Sequence, residues 1–303
     1  MSVTNALSPN RLLILVPSLI FSFFWAATTD NGTLGSTSSF NILLLGTTFA
    51  HYILGLVYSV RGLSHSWNRD RPKTLLLLLI PIAFIPLGKD WLIPVLVFYF
   101  GIHHALSESY FVRSQGTPEM TQVRTSNLIV VIGSYFAIVS RDTRFEELVF
   151  ILGWGGIVIG TIAWFWSRRR LQSLGKITLK EVLYAYPWLI IGPAFGVLSY
   201  FIKVDWRVIV LYHVVFYIFL PLARPGMLNG PSLKTYWLRT VSLNLGCLAG
   251  MVFLYWYVRT YQNVLPLAIT EGIFYGWTFL HISWSFLISG ANPMWVKKLL
   301  KTA

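Results

Sequence analysis

Histidine is the residue of this chain whose placement most clearly suggests chemistry. Five of the six histidines lie inside apolar stretches: His51 in TTFAHYILGL, His103 and His104 in FGIHHALSE, His213 in VLYHVVFYIF and His281 in TFLHISWSFL. An imidazole is costly in hydrocarbon unless it is hydrogen-bonded, paired or bound to a metal. Because four separate apolar stretches each contribute at least one imidazole, we expect a shared metal site inside a membrane.

Neutral imidazole binds iron, zinc and copper, and a site made mostly of histidines leaves coordination positions for oxygen or a substrate. The alternative is that each histidine is a core residue hydrogen-bonded to a carbonyl or hydroxyl of a neighbouring helix. Five histidines on four stretches, with few other polar groups nearby, favour the metal site. The sixth, His65, lies in the basic segment RGLSHSWNRDRPK and is predicted to be a solvated loop residue.

One carboxylate accompanies these histidines. Glu108 follows His104 by four residues, so the two side chains share a face of a helix and can form a hydrogen bond. A carboxylate in that position fixes the tautomer of a metal-binding histidine and raises its basicity. Two other roles stay open for Glu108: direct metal ligand, or interfacial residue near Arg113. Glu271 is expected near the outer membrane interface.

The composition indicates the class of protein. Of 303 residues, 55% are hydrophobic and 12% are charged, and the mean hydropathy is +0.62, whereas soluble proteins average about 25% charged residues. We therefore expect residues 1–303 to form a single integral membrane domain. The net charge of +13 resides mainly in short segments between apolar stretches, a pattern typical of membrane orientation and not of nucleic-acid binding.

Apolar segments of about 20 residues predict an all-α protein, a polytopic transmembrane helix bundle. Ten segments qualify as spans, some of them short: 12–28, 40–60, 74–88, 91–112, 126–140, 146–166, 184–202, 206–223, 237–258 and 264–289. The third and fourth could instead form a re-entrant pair broken at Pro86-Leu87-Gly88, which leaves eight spans.

The basic residues predict the orientation of the bundle. With ten alternating spans and a cytoplasmic N-terminus, 18 of the 24 Lys and Arg residues face the cytoplasm and 6 face outward. This excess favours cytoplasmic positions for both the N-terminus and the C-terminus. Removal of a re-entrant pair preserves both ends, so the count does not separate ten spans from eight.

In the order and spacing of its histidines, the chain resembles the Brp/Blh-type bacterial membrane β-carotene dioxygenases, which form retinal. That family has a first intramembrane histidine motif, a second of the form I-H-x-x-x-small-acid, a third containing H-x-x-x-H, and a late apolar segment with another histidine. The segment IHHALSE, from Ile102 to Glu108, fits the second motif. The resemblance covers about residues 45–290 of the chain.

The resemblance implies a non-haem iron oxygenase of the bacterial inner membrane. Its substrates would be molecular oxygen and a lipophilic polyene, either β-carotene or an apocarotenoid. By the same resemblance, His51, His103, His213 and His281 would bind Fe(II), and Glu108 would orient one of them. Whether His103 or His104 is the ligand stays open.

The chain also departs from the family motifs. The first motif has Ala50 and Tyr52 on either side of His51 where the family has proline and glycine, and Gly55 stands where that motif has an acid. Tyr217 replaces the second histidine of the third motif, and Leu280 replaces the proline before the last histidine. His104 or Tyr217 could fill the ligand position that the missing histidine leaves. Tyr217 is therefore a candidate catalytic residue together with Glu108.

A second class of function fits the same histidines. Two histidines on facing helices can bind a b-type haem, and intramembrane histidines also carry protons or metal ions in transporters. The alternative to the oxygenase is therefore a haem-binding or a proton- or metal-transporting membrane protein. A haem protein has a strong Soret band, whereas the oxygenase is expected to contain iron without that band.

Overall fold

A computed structural model of the protein describes residues 10–26, 33–34, 38–79, 83, 89–108, 118–142, 145–171, 175–223 and 232–288. In this part the chain is all-α, as the sequence predicts. The helices are α1 (Asn10–Ala26), α2 (Ser38–Arg69), α3 (Arg71–Leu79), α4 (Lys89–Glu108), α5 (Pro118–Val139), α6 (Glu146–Arg170), α7 (Leu179–Ala185), α8 (Trp188–Phe201), α9 (Arg207–Ala223), α10 (Leu233–Tyr261) and α11 (Leu265–Ile288). Short segments complete it: β1 (Thr33–Leu34), β2 (Lys203–Val204) and a 3-10 turn at Ser140–Asp142.

Each of the ten predicted spans overlaps one of these helices. By length and composition, four helices of the described part could cross a membrane: Ser38–Val57 within α2, Thr121–Val139 within α5, and all of α6 and α10. Their outer faces carry large apolar side chains, such as Ile159, which is 63% exposed, and Phe253, which is 61% exposed. Apolar surface of this extent suits contact with lipid. The break at Pro86-Leu87-Gly88 lies outside the described residues, so the re-entrant alternative stays a prediction.

Helix α2 is longer than the span predicted at 40–60, because it continues through the basic segment to Arg69. The expectation that His65 lies in a loop is therefore wrong: His65 is helical, with an exposed side chain. The segment contains no proline before Asp70, so nothing in it breaks the helix. Asp70 separates α2 from α3, and its Oδ1 accepts a hydrogen bond from the Lys73 N–H at 3.2 Å, as an N-cap does.

The described chain contains two compact units. The first includes Lys89–Trp206, with α4 to α8; the second includes the described residues of Ile14–Gly88 and of Arg207–Ile288, with α2, α3, α9, α10, α11 and most of α1. Each unit has its own buried apolar residues. The single domain expected for residues 1–303 stays a prediction.

In the first unit, α5 packs against α4, α6 and α8. Glycines bring the backbones of α5 and α6 close together: a Cβ at Gly153 would collide with the backbone of Ala137, and one at Gly160 would lie 2.9 Å from the Val130 nitrogen. Close approach of this kind favours helix association in membranes, where small residues line the contact. Gly155, on the same helix, has nothing within 4 Å of its Cβ position.

In the second unit, α2 packs against α3, α9, α10 and α11. Gly46 allows α10 to come close, since a Cβ there would lie 3.1 Å from the Leu248 Cα. At the start of α9, the Arg207 Nη1 donates to Asn41 Oδ1 at 2.7 Å. This bond ties the beginnings of α9 and α2 together and so fixes the register of two helices that carry histidines.

Candidate metal centre

Three histidines from three helices of the second unit come together. His51 of α2, His213 of α9 and His281 of α11 each offer one ring nitrogen, and these three nitrogens all lie within 4.8 Å of one another. The ring centroids of His51 and His281 are 4.9 Å apart, and those of His51 and His213 are 5.6 Å apart. Residues from distant parts of the sequence therefore form one cluster, which we call the histidine cluster.

Helix α9 carries the most deeply buried member of the histidine cluster. Every side chain from Val208 to Phe216 is buried, and His213 is 2% exposed. A helix that is apolar on all sides belongs in the interior of a bundle. His51 and His281, on the packed helices α2 and α11, are half-buried.

The residues present fit a metal ion. The His51 Nε2 is buried and has no hydrogen-bond partner among the described residues. Burial of a polar atom without a hydrogen bond costs free energy unless a ligand such as a metal ion binds the atom. Three imidazoles are a donor set that iron, zinc and copper accept. An ion about 2.1 Å from each nitrogen holds the nitrogens about 3.0–3.4 Å apart, so binding implies a contraction of the cluster by up to roughly 1.8 Å.

Tyr217 lies beside the histidine cluster. It follows His213 by four residues on α9, and its ring centroid is 4.6 Å from that of His213 and 5.7 Å from that of His51. A tyrosine hydroxyl donates or accepts hydrogen bonds, and as a phenolate it binds metals. The sequence therefore singled out a residue that neighbours two of the three imidazoles, while its catalytic role stays a prediction.

A hydrogen bond between Tyr52 and Thr278 joins α2 to α11 next to the cluster. The Thr278 hydroxyl donates to the Phe274 carbonyl at 2.7 Å, so its only proton is already used. The Tyr52 hydroxyl therefore donates to Thr278 Oγ1. The Tyr52 ring lies 5.1 Å from the His281 ring and 6.5 Å from Trp277, on which it stacks at 15°. This bond holds Tyr52 against the His281 imidazole.

Gly55 makes room for the same imidazole. A Cβ at this position would lie 3.2 Å from His281 Cε1 and 3.4 Å from His281 Nδ1. Gly55 follows His51 by four residues, so the two lie on one face of α2. The missing side chain of Gly55 is thus what allows the His281 ring to approach the face of α2 that carries His51.

His103 and His104 lie on α4, in the first unit. They are 5% and 0% exposed, and the His104 ring lies among aromatic rings, 5.3 Å from Tyr135 and 5.8 Å from Trp188. Their part in metal binding, and the choice between them, stay predictions. Glu108 is the last residue of α4, and its side chain lies outside the described part of the chain.

Sequence reasoning did not assign a role in the site to Tyr52, Gly55 or Thr278. Tyr52 and Gly55 were visible as departures from the family motifs, and both lie next to His281. Thr278 precedes His281 by three residues, a spacing that places the two on one helix face. The bond from Thr278 to Tyr52 crosses between helices, so no local pattern reveals it.

No protein-family model, no curated protein sequence and no solved structure matches the chain. The resemblance to the Brp/Blh-type β-carotene dioxygenases therefore stays a prediction from motif order and spacing. The geometry adds that the chain's departures from those motifs at Tyr52, Gly55 and Tyr217 all lie at the histidine cluster.

Proposed function

We propose that this protein is a membrane-embedded non-haem iron oxygenase that oxidises or cleaves a lipophilic polyene. The observation that carries the proposal is the histidine cluster, in which three ring nitrogens from α2, α9 and α11 lie within 4.8 Å of one another. The resemblance supplies the substrate class, which is β-carotene or an apocarotenoid. Molecular oxygen is the second substrate.

The proposal includes the surroundings of the site. The ten apolar segments form ten spans, or eight with the re-entrant pair, and both chain ends are cytoplasmic in a bacterial inner membrane. The four helices of membrane length and the excess of basic residues on one side support this topology. A substrate dissolved in lipid then reaches the cluster sideways, without crossing water.

His51, His213 and His281 are the proposed ligands. Iron(II) bound there supplies the oxygen chemistry, because three protein ligands leave positions open on the ion. The chain itself supplies the three imidazoles from three helices and holds their ring nitrogens within 4.8 Å of one another. The buried run from Val208 to Phe216 keeps water away from His213. Tyr217 stands beside two of the ligands and can donate a proton or a hydrogen bond.

The arrangement of the three imidazoles favours non-haem iron over haem. A bis-histidine haem has one imidazole on each face of the porphyrin, and the macrocycle fills the plane between them. In the histidine cluster a third imidazole lies within the same 4.8 Å of both others. That third ring would occupy the space that a porphyrin needs.

Expression in cells that make β-carotene tests the proposal. We expect the cells to bleach and retinal or a shorter oxidised product to appear by chromatography. His213→Ala should abolish the product, and His65→Ala, at an exposed position outside the cluster, should not. Intact carotenoid in cells with folded, iron-loaded protein would refute the substrate assignment. A Soret band in the purified protein would refute the non-haem assignment.

A further inference from the structure

The C-terminal end of α6 carries a dense group of exposed cations in the first unit. Arg169 and Arg170 end the helix, and Lys176 and Lys180 follow within ten residues; all four side chains are exposed. Helix α6 is also one of the helices long and apolar enough to cross a membrane. The cations therefore follow directly on a candidate span.

A buried ion pair joins the end of α6 to the first turn of α7. The Arg168 Nε and Nη2 donate to the two carboxylate oxygens of Glu181, the latter at 2.8 Å, and Arg168 Nη1 donates to the Gly175 carbonyl at 3.3 Å. Lys176 and Lys180 are the sequence neighbours of Gly175 and Glu181. The contacts of Arg168 therefore hold Gly175 and Glu181, the chain neighbours of both lysines, at the end of α6.

The same ion pair leaves the exposed cations without an acidic neighbour along the chain. Glu181 is the only acidic residue between Trp166 and Glu181, and it is buried against Arg168, with side chains 6% and 2% exposed respectively. Its negative charge is thus used inside the fold. The outward-facing charge of the segment is that of Arg169, Arg170, Lys176 and Lys180.

Exposed apolar side chains lie among these cations. Trp166 is 58% exposed, and the Arg170 guanidinium lies 3.5 Å from the centre of its ring. Leu179, at the start of α7, is 71% exposed. Tryptophan and leucine suit the region between lipid headgroups and acyl chains, where a tryptophan anchors a membrane helix. A soluble anion would engage the charges alone, so the mixture of cations and apolar groups fits an amphiphile.

We infer that the exposed side chains of Arg169, Arg170, Lys176 and Lys180 bind the phosphate headgroups of anionic phospholipids. The four exposed cations contact the phosphates, and Trp166 and Leu179 lie against the adjoining acyl chains. Four to eight basic residues next to a span are typical of anionic-lipid binding. This inference does not depend on the histidine cluster or on the oxygenase proposal.

Lipid titration of the full-length protein, purified in a neutral detergent, tests the inference. Native mass spectrometry would compare retention of phosphatidylglycerol with that of phosphatidylcholine. We expect a preference for phosphatidylglycerol of at least about tenfold at low salt, which declines as NaCl screens the charges. Replacing all four cations should reduce the preference at least about fivefold: Arg169→Gln, Arg170→Gln, Lys176→Gln and Lys180→Gln.

A control variant removes the same charge from exposed positions scattered over the chain: Arg69→Gln, Arg141→Gln, Lys234→Gln and Arg259→Gln. It should keep the preference within about twofold. Both variants retain Arg168 and Glu181, so the ion pair between α6 and α7 is preserved, and thermal unfolding in phosphatidylcholine checks this. Equal loss in both variants, or no loss in the first, would overturn the inference. Competition by inorganic phosphate as strong as by the lipid would overturn the assignment to phospholipid.

Discussion

Gly55 and His281 meet where α2 packs against α11, with the position of a Gly55 Cβ only 3.2 Å from the His281 Cε1. Gly55→Ala should push the His281 imidazole away from His51 and reduce the affinity for metal by about tenfold. A loss of this size is typical when the residues that position a metal ligand are changed. Metal titration of the purified protein checks this. Gly272→Ala, on α11, is the matched control, because nothing lies within 4 Å of its Cβ position. Equal affinities for both variants would show that Gly55 does not set the position of His281.

Removing the donor and removing the acceptor of the bond from Tyr52 to Thr278 should reduce the free energy of unfolding by different amounts. Tyr52→Phe removes the donor and leaves Thr278 bonded to Phe274, so we expect a loss of about 0.5–1.5 kcal/mol. Thr278→Val leaves the buried Tyr52 hydroxyl without its acceptor and should cost more, about 1–3 kcal/mol. Unfolding in mixed micelles measures both values.

The double variant Tyr52→Phe/Thr278→Val completes the thermodynamic cycle for this pair. It should lose less than the sum of the two single variants, since no buried group is left unpaired. Tyr261→Phe, at an exposed position, is the control for loss of a phenol hydroxyl. Simple additivity would indicate that Tyr52 and Thr278 do not interact.

Close packing of α5 on α6 predicts opposite results for two glycines of α6. Gly153→Ala forces a methyl group into the backbone of Ala137 and should destabilise the first unit by about 1–3 kcal/mol or more. Gly155→Ala meets nothing within 4 Å and should be neutral or stabilising by up to about 1 kcal/mol, because alanine is the better helix former. The difference between their unfolding free energies is the measurement, and similar values would contradict the packing.

Loss of one partner of the buried ion pair should be costlier than loss of both. Arg168→Met leaves the Glu181 carboxylate buried without its cation, and we expect a loss of about 3–5 kcal/mol. Arg168→Met/Glu181→Leu should recover most of that loss. Arg169→Met, next in the chain but exposed, should change stability by no more than about 0.5 kcal/mol. A cost for the double variant as large as that for Arg168→Met would contradict this role of the pair.

Much of the fold could be predicted from the sequence, because hydropathy is a local property. Each predicted span overlaps a helix, but the ends were less accurate: α2 runs on to Arg69 through His65. The helix continues there because no residue of the segment breaks it. The change from apolar to basic residues was instead interpreted as the end of the helix. The short helix α7 was also not expected as a separate element; it begins at Leu179, after the N-cap Thr178, whose side chain accepts from the Glu181 N–H at 3.1 Å.

The candidate site could be predicted only in part. His51, His213 and His281 were identified because imidazoles in apolar stretches are unusual, and these three form the histidine cluster. The contributions of Tyr52, Gly55 and Thr278 depend on contacts between α2 and α11, which no periodicity within one helix encodes. His103 and His104 belong to the first unit, whereas His51, His213 and His281 belong to the second. Sequence spacing likewise could not predict this division.

Metal content after anaerobic loading with Fe(II) is the most direct test of the histidine cluster. The wild-type protein should retain about one iron per chain after gel filtration, with no Soret band. His51→Ala, His213→Ala and His281→Ala should each lose that iron, and His65→Ala should keep it. Retention of iron by all three cluster variants, with helix content unchanged, would contradict the proposal that these imidazoles hold a metal.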